Sequence, residues 1–287
     1  MVLLLAACFG PTDWTDARLE GACADSEPGH DAATADAIEA LDRVNCYRRL
    51  AGLEVAVLDP QLDAAAQAHA DYMELNGELV HAETSGAPGF TGEQVWDRAD
   101  AAGWTDQAGY LFLEVVAAGP EPAGAVDLWV DSVYHRTPFM GPEWVAGGFG
   151  YAGTFAAMAV VEPYPQSADV AVAYPVNGQL GVPHTFDSDT ESPDPAPDHG
   201  LVGYPVTVSV SSTSPDPGLQ LLRGELRGPE GTVDVIALDP TNDEWLFDMV
   251  ALVPIEPLTP GAAYDAELEI AWNGRQETLA IHFETAQ

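Results

Sequence analysis

Lysine is absent from this 287-residue chain, and all nine of its basic residues are arginine, against forty-six aspartates and glutamates, for a formal charge of −37. So acidic a surface repels polyanions, which excludes a nucleic-acid partner and docking on anionic lipid head groups. Cations, calcium included, accumulate near it instead. The acids are spread evenly along the chain, which fits adaptation to a salty or ion-rich exterior better than one acidic ligand site. Long apolar runs are missing too, so no stretch can cross a bilayer as a helix. Repeats and low-complexity tracts are absent. Also absent are the Gly-x-Ser-x-Gly turn of serine hydrolases and the His-Glu-x-x-His helix of zinc proteases. What is there is a hydrophobic fraction of 47%, enough for a substantial core despite the charge.

Cysteine occurs three times. The first closes the run Leu5-Ala6-Ala7-Cys8, which resembles the lipobox of bacterial lipoproteins, where cleavage before the cysteine leaves it to carry a lipid. Membrane attachment is therefore expected only through Cys8. An exported chain leaves Cys23 and Cys46 free to pair, tying an acidic N-terminal arm to the first helix, whereas in a cytosolic chain they stay reduced.

Residues 1–33 read as this lipoprotein-like start and an acidic tether. Regular structure is expected from Thr34, where Ala37, Leu41, Val44, Tyr47 and Leu50 recur at helical spacing before Gly52. Asp59-Pro60 opens a second helix carrying Leu62, Ala65, Ala66, His69, Tyr72 and Met73, stopped at Asn76-Gly77. A Thr-x-x-Gln capping pattern predicts a third from Thr91 to Gly103, and a fourth starts near Pro122, with Val126, Trp129, Val130 and Val133 on one face. Tyr110 to Val116 reads as a strand, and Trp144 to Val161 as a hairpin about Ala152-Gly153. Residues 34–162 thus make one α+β unit. Residues 163–203 follow as a proline-rich acidic linker with the first strands of the next unit. From 204 to 287 the apolar period is two, around Val206–Val210, Val233–Val235, Leu246–Val253, Tyr264–Trp272 and Glu277–Phe283, which predicts an immunoglobulin-like β-sandwich.

Five blocks resemble the bacterial branch of the CAP superfamily (cysteine-rich secretory proteins, antigen 5 and pathogenesis-related proteins). They are Asn45-Cys46-Tyr47-Arg48, Ala65 to Ala70, Val80-His81-Ala82-Glu83, Trp129 to Arg136, and Gly148 to Tyr151, in the family's order. The resemblance spans residues 34–162. It implies an α-β-α sandwich, secretion, and a cleft whose His and Glu residues can hold a divalent metal such as zinc. By position the cleft residues are His81, Glu114 and His135. The chain departs from the family at Leu113-Glu114-Val115-Val116, where a polar residue usually follows the acid, and in Phe155 to Ala159, which lacks a histidine. The tail from about 170 resembles bacterial Ig-like and fibronectin-like modules more loosely.

Two imidazoles and a carboxylate can fill three positions of a zinc shell and leave the fourth to water, the arrangement of hydrolytic zinc. The same three can also satisfy one another without any metal. His69 is expected to be a packing histidine of the second helix, Arg136 to make a structural ion pair, and Asp187 to Asp198 to be a solvated linker, because it lacks the Gly and Glu of a calcium loop. Trp96, Trp104, Trp129 and Trp144 could together line a lipid groove. The reading that follows is a secreted or surface-anchored protein that binds an extracellular or envelope ligand without catalysis. The rivals are a metal-assisted hydrolase of an envelope polymer and a lipid- or sterol-binding or adhesion module.

Overall fold

Two capped helices set the frame in the computed structural model, which describes residues 17–19 and 21–287. Thr34 is extended and its hydroxyl accepts the Ala37 N–H at 3.1 Å, opening α1 (Ala35–Leu50). The Asp59 carboxylate accepts the N–H groups of Gln61 and Leu62 ahead of Pro60, opening α2 (Pro60–Asn76), and Gly77 ends it with φ of 67°. Each cap satisfies a donor that the first turn leaves without an intrahelical partner.

The next helix is shorter than its sequence pattern suggests. α3 covers Val95–Ala101, and its cap is Gln94, whose N–H donates to Asp97 at 3.0 Å. Thr91, expected to cap, instead gives its N–H to Glu83 at 2.6 Å. Then come β1 (Tyr110–Ala118), α4 (Pro122–Asp131), the single turn α5 (Thr137–Met140), β2 (Ala146–Ala152) and β3 (Phe155–Pro163). The three strands form an antiparallel sheet in the order β1-β3-β2.

Alternation along these strands sorts side chains between two helical layers. Val115, Ala117, Ala156, Met158 and Val160 pack with Leu41 and Val44 of α1 and with Val126 and Trp129 of α4. Phe112, Val116, Ala157 and Val161 point the other way, toward Leu62, Tyr72 and Met73 of α2 and Ala99 of α3. Gly148 and Gly150 let α2 press onto β2, since an added Cβ would lie 2.0 Å from the Leu62 carbonyl carbon and 2.3 Å from the Gln67 nitrogen. This is the α-β-α layering that the resemblance implies.

The rest of the chain is β-rich: β4 (Val170–Tyr174), β5 (Gln179–Val182), β6 (Phe186–Asp187), β7 (Leu201–Val202), β8 (Val206–Ser211), β9 (Gln220–Gly228), β10 (Gly231–Val233), β11 (Val235–Leu238), β12 (Met249–Pro254), β13 (Ala263–Trp272) and β14 (Arg275–Thr285). They build a five-stranded sheet β10-β9-β13-β14-β5, a four-stranded sheet β11-β12-β8-β4 and the pair β6-β7. Val206, Val208 and Val210 of one large sheet and Leu268, Ile270, Ile281 and Phe283 of the other share one apolar core, which runs on into α1 and α4.

Two segments expected to be loose are held. Leu19 and Arg18 are buried and Cys23 is disulfide-bonded to Cys46, so the arm from residue 17 is fastened to α1. Cys8 lies outside the described residues. Ser188, Glu191 and Ala196, expected in a solvated linker, are buried. Among the described residues no helix is long and apolar enough to cross a membrane.

Candidate functional site

Glu114 lies between Phe112 and Val116 on β1, so strand alternation aims it at the layer of α2 and α3. Three side chains meet it there. Arg98 of α3 donates a hydrogen bond from Nη2 to Glu114 Oε2. His81, in the loop after α2, lies with Nδ1 3.1 Å from Oε1, and His69 Nε2 is 3.7 Å from the same oxygen. The carboxylate is 7% exposed and the His81 side chain 53% exposed. Burial alone opposes ionisation of Glu114, but the His81 hydrogen bond and the Arg98 charge outweigh it, so the carboxyl sits below its ordinary range.

A second carboxylate lies behind the first. Glu83 is buried and accepts hydrogen bonds from the N–H groups of Thr91 and Gly92 and from the Thr91 hydroxyl. His69 lies with Nδ1 3.0 Å from a Glu83 carboxylate oxygen and Nε2 2.9 Å from the Val80 carbonyl oxygen. Both ring nitrogens therefore face oxygen atoms. Arg98 is held as firmly. Its Nη1 donates to the carbonyls of Gly92 and Glu93 at 3.2 and 3.1 Å, and its Nε is 4.0 Å from Glu83. The result is a buried layer of two acids, an arginine and a histidine with one half-exposed imidazole at its edge.

Of the three residues expected to converge, the structure pairs His81 with Glu114 and places His135 elsewhere. His135 follows α4, which packs on the opposite face of the sheet, and its Nδ1 donates to Glu191 at 2.8 Å. Among the described residues no group of three or more His, Cys, Asp or Glu side chains is placed to hold a metal ion. The donor chemistry agrees, because Arg98 is bonded to one Glu114 oxygen and both His69 nitrogens are engaged. The trio His81, Glu114 and His135 does not fit a zinc shell.

His69, expected only to pack, is buried but polar in role, and Arg98 was not singled out at all. A signal existed for each: a histidine on a helix stripe otherwise lined by Leu62, Ala66 and Met73, and one arginine in a helix with two acids among its seven residues. Among the described residues Arg136 makes no carboxylate pair. It is buried, donates to the carbonyls of Val130 and Pro205 at 2.9 Å, and lies over the rings of Tyr174 and Tyr204. The four tryptophans do not share a groove: Trp129 is in the core against Phe139, Trp104 meets Tyr110 and Phe112, Trp144 meets Phe139, and Trp96 is exposed.

Helices on both faces of a three-stranded sheet, with Glu114 on the central layer beside His81, are the frame in which the family match falls. Residues 41–161 match the family described as CAP, the cysteine-rich secretory protein family, and this part of the chain is a CAP domain. Among solved structures, an extracellular protein containing an SCP domain from Bacillus anthracis str. Ames is similar at 22% identity and a TM-score of 0.37. That match covers 44% of this chain and 40% of that one, so the chain spans about two fifths of the Bacillus protein's length. An outer surface protein from Borrelia burgdorferi is similar at 18% identity and a TM-score of 0.34, over 47% of this chain and 98% of that one. No curated protein matches the chain.

Proposed function

We propose that this is an extracellular CAP-domain protein that binds or presents a ligand without turning it over, with its β-rich C-terminal part serving as an immunoglobulin-like module. One observation carries the reading. Among the described residues the one hydrogen-bond partner of His81 is Glu114, and no hydroxyl or thiol stands against its ring as a nucleophile would. Glu114 orients the imidazole through Nδ1 and leaves Nε2 to the solvent side, a polar contact point rather than a relay.

The Cys23–Cys46 bond supports an oxidising, extracellular setting, and a lipid anchor at Cys8 would hold the chain to a bacterial envelope. The ligand would belong to that surface and carry no polyanionic backbone. Incubation of the intact protein with peptides, esters and peptidoglycan, alongside His81→Ala and Glu114→Ala, tests the reading. No turnover above that of the variants is expected. Turnover abolished by either substitution would establish an enzyme instead.

A further inference from the structure

The cleft contains its own cation. Glu114 is the carboxylate that a divalent ion in this cleft would need, yet Arg98 reaches it from α3 and takes one of its oxygens. Arg98 is not a surface arginine that could swing away: it is buried, and the carbonyls of Gly92 and Glu93 hold its other nitrogen. A guanidinium cannot be deprotonated to make room and has no lone pair with which to join a coordination shell. Its charge also repels an incoming dication at close range in a site with little water, where such repulsion is strong.

We infer that Arg98 is a built-in substitute for the metal, and that the His81–Glu114 pair is a latent divalent-cation site masked by that one side chain. Glu83 does not offer an alternative. Its oxygens are committed to Thr91, Gly92 and His69, and it lies deeper in the fold than Glu114. Removal of the Arg98 charge leaves Glu114 Oε2 without its donor, and His81 Nδ1 remains beside Oε1 at 3.1 Å. A nearly buried carboxylate and a half-exposed imidazole beside it are then two protein donors of the kind zinc takes, with water available for the rest. The inference concerns the cation alone and stands whatever ligand the protein binds.

The test is a zinc titration of the full-length protein in 0.5 M sodium chloride, where diffuse attraction to the acidic surface is screened to about a few ångströms. Calorimetry and thermal melts would compare wild type, Arg98→Lys, Arg98→Met and Arg98→Met/His81→Ala. Wild type and Arg98→Lys should show no 1:1 event that depends on His81. Arg98→Met should gain one, tighter than any wild-type binding by on the order of a hundredfold, with a melting temperature that rises on adding zinc. The double variant should lose both effects. Should Arg98→Met fail to fold, Arg98→Gln replaces it. The imidazole NMR signals of His81 in wild type provide an independent reading and should stay unmoved by equimolar zinc. A His81-dependent 1:1 event in wild type, or a folded charge-free variant that gains none, overturns the inference.

Discussion

Glu191 gathers His135 and the turn around it. Although 56 residues separate them, His135 donates from Nδ1 to Glu191 at 2.8 Å, and the same carboxylate accepts the backbone N–H groups of Val133 and Tyr134 at 2.7 Å and of His135 at 3.2 Å. The turn between α4 and α5 is thus a small nest of donors filled by an acid from the proline-rich segment. Val133 completes the junction by packing among Phe186, Val202 and Met249. Glu191→Ala strips a buried turn of its one shared acceptor and should lower stability by about 3 kcal/mol, read as a fall in urea midpoint. Glu191→Asp, one methylene shorter, should recover only part of it. A midpoint unchanged in Glu191→Ala would mean the nest is not structural.

Arg136 should couple the CAP domain to the β-rich part. Its guanidinium donates to Pro205 and Thr207, just before and within β8, and stacks on Tyr174 of β4, while Tyr204 donates to Asp131 at the end of α4. These contacts are buried and charge-assisted, so Arg136→Ala should cost about 3 kcal/mol. Calorimetry of the wild type should show a single unfolding transition. Two well-separated transitions would contradict the coupling.

Glu162 should make the protein less stable as pH rises. Burial, with Asp248 and Glu143 nearby, outweighs the Arg48 charge and pushes its carboxyl from 4.5 to about 8. Between those values the folded state binds a proton that the unfolded state has lost. Stability from this group is therefore full below about pH 4.5 and declines toward pH 8, by up to about 1.4 kcal/mol per unit. Asp248, which burial pushes to about 6, adds a decline of the same sign at lower pH. Glu162→Gln keeps an acceptor for Gln166, which donates to Glu162 at 2.9 Å, and should flatten the upper part of the profile. Melts from pH 4 to 9 on both proteins would decide; equal slopes count against the assignment.

Reduction of Cys23–Cys46, which closes a loop of sequence separation 23, should lower stability by about 3 kcal/mol. Equilibrium unfolding with and without dithiothreitol measures it, and Cys23→Ser/Cys46→Ser should match the reduced protein. Coincident curves would show that the arm contributes nothing to stability.

Much of the CAP layer was legible because its signals are local. Thr34, Asp59, Pro60 and Gly77 mark helix ends by chemistry acting within one turn, and the alternation of β1 places Glu114 without any knowledge of its partners. The strand that escaped, β9, shows the limit. Its Leu221-Leu222 pair breaks the period of two, and its register with β13 shifts between Glu269 and Ile270, so the pattern that betrays a strand is locally lost. The start of α3 was misplaced for a related reason, since Thr91 serves Glu83 rather than the helix.

By itself the sequence determined the two capped helices α1 and α2, the two faces of the central sheet, the side on which Glu114 stands and the net acidity, all of which follow from periodicity, capping and charge. Only the tertiary structure decided that Glu114 belongs to Arg98 and His135 to Glu191. With forty-six acids and nine arginines in the chain, every cation has many candidate partners, and the choice is made by which of them the packed layers bring within hydrogen-bond reach.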